Sequence, residues 1–362
     1  MSTIILNSHD NPELQPASGL WQLYQPEKAP YRFQAKTLAE AETWQQITRP
    51  ALHQTLGFTN LPVAPLSPQL LEEVDKGSYV RQKWLLQTWQ GAQMPVYILI
   101  PKQGKPPYPV VLALHGHGYG VKDIVGLWED GAERDTPDGY HVDFGVALCK
   151  RGFLVAAPEI SCFGERQTDF SYLNTTIGQP VPTSCNHAAH LAFHLGGSVI
   201  ALRGHDARRL VDYLETRPDA DTRRLGAMGL SGGGMHTFFS ACLDERIRAC
   251  VISGYYSTFK DSILAMFHCT CNFAPGLHVF GEMYDLVGLI APRPILIESG
   301  SYDPIFPREA VVKSVAIARE KVYRVFNAKN QVETDYFEGR HRINGARAYD
   351  FLAEKLDLNN TR

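Results

Sequence analysis

The chain has 362 residues, 44% of them apolar and 20% charged, the balance of an ordinary globular protein long enough for one large domain with additions. Its net charge of -3 argues against nucleic acid or an anionic membrane as a partner. No apolar run approaches the roughly 18 residues of a membrane span, and the opening MSTIILNSHD lacks the basic start and apolar stretch of a secretory signal, so a cytoplasmic location is expected.

Residues 1–75 are rich in Pro, Gln and Trp and form too small an apolar set for a core of their own, so they are expected to be an N-terminal helical extension packed on a catalytic domain of residues 76–362. Within the extension, residues 39–56 have helical spacing, with Trp44, Ile47, Ala51 and Leu56 near one face and Gly57 as the stop. Residues 80–100 hold two apolar runs split by Gln90-Gly91, the signature of a hairpin. From residue 108 onward strands and helices alternate. Val110-Val111-Leu112-Ala113-Leu114 reads as a strand buried on both faces, followed by the loop His115-Gly116-His117-Gly118. Further strands are predicted at 153–158, before Ser231, at 247–252, at 294–297 and at 332–337, with helices near 142–151, 198–217, 307–328 and 345–356. Two long excursions, near 159–197 and 253–291, are expected to cover the pocket. This alternation predicts an α/β fold with a mostly parallel central sheet and helices on both faces. Active sites in such sheets lie beyond the carboxyl ends of the strands.

One of those ends carries Gly229-Leu230-Ser231-Gly232-Gly233, after an apolar run and before a helix. A strand turning sharply into a helix leaves no room for side chains beside the nucleophile, which is why glycines flank the serine. A serine hydroxyl needs a base, and His341 follows the last strand in a glycine-containing turn. Asp303, after the penultimate strand, is placed to hold the imidazole in the right tautomer. The oxyanion donors expected are the backbone amides of Gly232, at a helix start, and His117, in the loop after the 110–114 strand. Glu298, Asp285, His236, His268 and His278 compete with these on residue type alone and are expected to be structural.

Seven cysteines, an odd number scattered through apolar segments, read as reduced thiols rather than a disulfide framework. Cys269-Thr270-Cys271 is the one tight pair; with no second pair nearby it makes a poor zinc site and is expected to line core or pocket. His187, His190 and His194 have helical spacing but no adjacent acid, and a segment capping the pocket is the expected role. No metal and no cofactor is expected.

The Gly229-x-Ser231-x-Gly233 elbow, His115-Gly-His-Gly118, Asp303 and His341 together resemble the α/β-hydrolase superfamily, and within it the bacterial acetyl xylan esterase-like and dienelactone hydrolase-like group. The resemblance extends over residues 80–356 and includes Pro158-Glu-Ile-Ser-Cys-Phe-Gly-Glu-Arg166, Cys269-Thr-Cys-Asn-Phe-Ala-Pro-Gly276 and Leu289-Ile-Ala-Pro-Arg-Pro294. It implies cleavage of small acyl esters through an acyl-enzyme, without a cofactor, on a small-molecule substrate. The chain departs from dienelactone hydrolases in having serine rather than cysteine as nucleophile. It departs from the sugar deacetylases in having Arg342 after the histidine. A serine peptidase on short peptides, or a non-catalytic binding protein on the same fold, are the competing functions, and a homo-oligomer is compatible with the sequence.

Overall fold

The structure is a computed structural model that describes residues 7–171 and 183–358. Apolar runs and turn signals resolve into nine strands among the described residues: β1 (Gln69–Asp75), β2 (Tyr79–Trp89), β3 (Ala92–Pro101), β4 (Tyr108–Leu114), β5 (Leu154–Pro158), β6 (Ala220–Leu230), β7 (Ala249–Ser253), β8 (Ile295–Gly300) and β9 (Val332–Phe337). All join one sheet in the order β1-β2-β3-β5-β4-β6-β7-β8-β9. Strands β1 to β3 pair antiparallel, β3 meets β5 antiparallel, and the six strands from β5 to β9 in that order are parallel. The β2–β3 hairpin turns at Gln90-Gly91, where Gly91 has φ +88°. β1 falls within the range expected to be the extension and yet forms the sheet edge. All but one of its residues are exposed, so it offers no apolar pattern to read.

The helices are α1 (Pro16–Leu23), α2 (Leu38–Leu56), α3 (Phe144–Cys149), α4 (Ser184–His194), α5 (Val199–Leu214), α6 (Gly232–Leu243), α7 (Met283–Leu286), α8 (Arg308–Ile317) and α9 (Ala348–Lys355). Every residue of β4 is buried, and its alternate side chains enter two separate cores. Val110, Leu112 and Leu114 join Leu52 of α2, Leu210 of α5, Phe238 of α6 and Val315 of α8. Val111 and Ala113 join Phe144 of α3 and Phe351 of α9. Each such side chain contributes roughly 1.5–3 kcal/mol on burial, so helices are held to both faces of the sheet. This is the α/β architecture anticipated from the alternation, a mostly parallel sheet with helices on both faces. β4 lies between β5 and β6, so the chain reverses its direction of travel across the sheet there, and the carboxyl ends of β4 and β6 border the crevice where such sheets bind ligands.

α2 begins at a capping box between Thr37 and Glu40 and ends at Gly57, whose φ of +87° suits only glycine. Leu56 is buried as expected and Trp44 and Ala51 pack against the same core, joined by Ala41, Thr48 and Leu52, while Ile47 departs from the expected face at 57% exposed. Gln45 donates to Gly288 O and Ala291 O, both at 2.6 Å, and Arg49 to Leu289 O at 3.2 Å, so the helix turns these residues inward to satisfy carbonyls. Upstream, the Tyr24 hydroxyl donates to Glu282 at 2.8 Å and Tyr31 stacks on Phe280, which fixes residues 24–31 against the second excursion.

The excursions carry short elements: the first contains a turn at Gly164–Arg166 and α4, the second short helical turns at Phe259–Ile263, Thr270–Asn272 and Leu277–Phe280 followed by α7. Residues 172–182 of the first excursion lie outside the described residues. No helix among the described residues is long and apolar enough to cross a membrane.

Candidate active site

β6 ends at Leu230 and α6 begins at Gly232, leaving Ser231 to make the whole turn at φ +58° and ψ -119°. A non-glycine residue there stores about 1–3 kcal/mol of strain, which the surroundings must hold. They do so through Ser231 N to Ser253 O and Met235 N to Ser231 O, both 2.9 Å. The flanking glycines are required by contact: a Cβ on Gly229 would overlap Gly233 O, and one on Gly233 would overlap Leu114 O. The elbow thus packs backbone to backbone on the end of β4.

Asp303 follows β8 with its carboxylate turned into the protein. Oδ1 accepts from the amides of Ile305 and Phe306, both at 3.0 Å, and Oδ2 lies 2.7 Å from His341 Nδ1. An ionised carboxylate only accepts, so the proton belongs on Nδ1 and the lone pair on Nε2. Nε2 is buried and has no hydrogen-bond partner among the described residues. The ring stacks on Phe306 at 5.7 Å and rests on Gly254, the residue after the one whose carbonyl receives the Ser231 amide. A Cβ on Gly254 would lie 2.8 Å from His341 Cε1, on a residue with φ +50°. Gly254→Ala is therefore expected to displace the imidazole and lower kcat about 100-fold with the fold retained; steady-state kinetics beside circular dichroism checks this.

The loop after β4 closes over the elbow. A Cβ on Gly116 would lie 3.2 Å from Ser231 Cβ, and one on Gly232 would lie 3.1 Å from His117 Nδ1. Among the described residues, the backbone amides of His117 and Gly232 donate to no protein group. Residues that the sequence reading passed over hold this loop. Gly116 N donates to His141 Nε2 at 2.7 Å, and His141 Nδ1 meets Asp123 Oδ2 at 2.7 Å. Arg134 bridges Asp123 and Asp143 behind them. Burial pushes the His141 pKa down despite Asp123, which keeps the ring neutral, as an Nε2 acceptor must be. Tyr140 packs on His141 at 4.1 Å and lies 6.1 Å from His341, centroid to centroid. No periodicity or motif in the sequence marks His141.

The Pro158–Arg166 stretch also gains a physical reason. Glu159 is fully buried at the end of β5 and accepts from Val121 N at 3.0 Å and Glu165 N at 3.4 Å. A Cβ on Gly120 would lie 2.5 Å from its Oε1, and one on Gly164 would overlap Oε2, so both loops wrap this carboxylate.

The other residues weighed take up supporting positions. Asp285 accepts from Phe33 N and Glu282 N at the start of α7, with burial raising its pKa to about 6. His236 is buried with Nε2 2.7 Å from Arg203 O, and burial lowers its pKa to about 3. His268 packs on Phe306 at 5.2 Å, on the side chain that also carries His341.

Glu298 accepts from the Ser253 hydroxyl at 2.6 Å and Gly345 N at 2.7 Å, and burial raises its pKa to about 7. Its protonated form is thus favoured in the folded state, so its contribution is fully present below the usual carboxylate pKa and is lost as pH rises through about 7. The loss is on the order of 3 kcal/mol. Glu298→Gln is expected to melt progressively higher than the wild type as pH goes from 5 to 8; parallel melting curves over that range would show that Glu298 is not the titrating group.

His187, His190 and His194 lie on α4, with His187 against Phe170 at 5.3 Å, and among the described residues they form no ligand cluster. Cys269 and Cys271 behave otherwise. The partners missing from their stretch of sequence arrive from elsewhere, Cys185 from α4 and His117 from the loop after β4.

The sequence model of the Abhydrolase family matches residues 17–348. The "Putative hydrolase YtaP" of Bacillus subtilis (strain 168) is 26% identical over 258 residues, 69% of this chain and 78% of that one. Among solved structures, a "putative acetyl xylan esterase" from Bacteroides fragilis NCTC 9343 superposes with a TM-score of 0.72 at 17% identity, covering 90% of this chain and 82% of that one. A glucuronoyl esterase from Solibacter usitatus superposes with a TM-score of 0.63 at 16% identity, covering 87% and 93%. At such identities the likeness to the solved structures is one of fold.

Proposed function

Because the chain belongs to the Abhydrolase family, we propose that it is a serine hydrolase that cleaves carboxylic esters of small acyl groups through an acyl-enzyme. The observation that carries this reading is the pair His341 Nδ1–Asp303 Oδ2 at 2.7 Å, which leaves a buried Nε2 without a hydrogen-bond partner among the described residues, together with the strained strand-to-helix turn at Ser231. His341 Nε2 takes the Ser231 proton as Oγ attacks the ester carbonyl. Negative charge collects on the former carbonyl oxygen, where the amides of His117 and Gly232 receive it; each such donor supplies about 3 kcal/mol. The tetrahedral adduct collapses, the alcohol departs with the proton from His341, and the acyl group stays on Ser231. Water, deprotonated by the same imidazole, then releases the acid. Asp303 stays ionised throughout and stabilises the imidazolium.

The names of its structural neighbours favour esters of carbohydrates within this class. A series of chromogenic acyl esters run beside acetylated xylose and a methyl glucuronate ester would rank the acyl and alcohol groups. The matched amide of the best ester tests the peptidase reading. Hydrolysis of the ester alone supports an esterase, and comparable rates on both would overturn that assignment.

A further inference from the structure

The ligating atoms of His117, Cys185, Cys269 and Cys271 lie within 4.8 Å of one another. They converge from three separate stretches: the loop after β4, the first turn of α4, and the turn at Thr270–Asn272. His117 Nε2 lies 3.7 Å from Cys271 Sγ, close to the edge of about 3.6 Å that a tetrahedron takes with Zn–N near 2.05 Å and Zn–S near 2.3 Å. Phe163 stands edge-on against the His117 ring at 5.0 Å and fixes its plane. Thr270 Oγ1 donates to Asn186 Oδ1 at 2.8 Å, which joins the two cysteine-bearing segments.

A second observation is electrostatic. Arg203, on α5, is 1% exposed, and its Nε has no hydrogen-bond partner among the described residues. Nη1 lies 3.5 Å from Cys271 Sγ, and Nη2 lies 3.9 Å from Cys185 Sγ and 3.3 Å from Ser161 O. A guanidinium buried this deeply needs a counter-charge, and three neutral thiols supply none. A divalent ion held by three thiolates and a neutral imidazole carries one net negative charge, which matches Arg203.

We propose that His117 Nε2 and the thiolates of Cys185, Cys269 and Cys271 bind one zinc ion in a closed tetrahedral site, with Arg203 as its buried counter-charge. Formation displaces three protons: the aqueous divalent ion and three thiols become the zinc trithiolate and three hydrogen ions, with no change of oxidation state. Three sulfurs and one nitrogen suit zinc over calcium or magnesium, which prefer oxygen. With four protein ligands the ion has no open position, so it acts as a clamp. It fastens both covering segments to the loop that carries the His117 amide. The site stands whether or not Ser231 is the nucleophile.

The test is elemental analysis of the untagged full-length chain purified without chelator, with about one zinc per chain expected. Cys185→Ser and Cys269→Ser are each expected to lose the metal. Cys162→Ser, altering the thiol beside Cys185 that is outside the ligand set, is expected to keep it. Misfolding could also empty a variant, so the wild-type chain is stripped and reloaded with cobalt(II), where a thiolate-to-cobalt charge-transfer band with tetrahedral d–d absorption is expected. Metal-free wild-type protein that gives no such spectrum, zinc retained in both ligand variants, or an intact mass two hydrogens short from a disulfide among these cysteines would each overturn the proposal.

Discussion

Replacing Ser231 with alanine is expected to lower kcat for the best ester by a factor on the order of 10⁵–10⁶. The size follows from the proposed chemistry: without Oγ there is no acyl-enzyme, and the oxyanion donors and bound substrate can assist only direct attack by water. The fold should not notice the change. The backbone hydrogen bonds from Ser231 N and to Ser231 O are those of any residue, and the alanine Cβ occupies space the serine Cβ already fills. Ester kinetics, fluorophosphonate labelling followed by peptide mapping, and thermal melting form the test. A labelled residue other than Ser231, or an active alanine variant, would remove Ser231 from the role.

Asp303→Asn is expected to cost about 10⁴ in kcat with little change in KM. Asp303 has two separable duties. Oδ1 receives the amides of Ile305 and Phe306 and thereby builds the turn, and an asparagine oxygen can keep both bonds. Oδ2 receives the His341 Nδ1 proton, and an asparagine amide there presents donor to donor. The imidazole then carries its proton on Nε2, where it cannot accept one from Ser231. Asp303→Ala loses both duties, so the comparison separates tautomer control from turn building: the asparagine variant should melt like the wild type and the alanine variant lower. Retention of a tenth or more of the activity in Asp303→Asn would assign the orienting role elsewhere.

Much of the sheet could be read directly. β4 is apolar at nearly every position because both faces are covered, and the β2–β3 hairpin announces itself through Gln90-Gly91. Strand order places Asp303 and His341 after successive strands, and the structure sets them 2.7 Å apart. What escaped has common causes. β1 is an exposed edge with charges at Glu72, Glu73 and Asp75, so nothing in its pattern distinguishes it from a loop. On α2 only Ile47 departs from the expected face, and Gln45 and Arg49 turn inward to reach carbonyls more than 200 residues away, which a helical wheel does not show because it counts polar as outward. The His141–Asp123 support and the grouping of His117 with three cysteines depend on contacts between segments that only the folded sheet brings together.

Gly233 rests its backbone directly on the carbonyl of Leu114, the last residue of β4 before the loop that carries His117. The turn bearing Ser231 and the strand that leads into the His117 loop therefore have no side chain between them at this contact. Cushioned by side chains, two such pieces could drift apart through rotamer changes; here they form a single stiff joint, set when the sheet assembles. Any play in the proposed site then has to come from its side chains rather than from this joint.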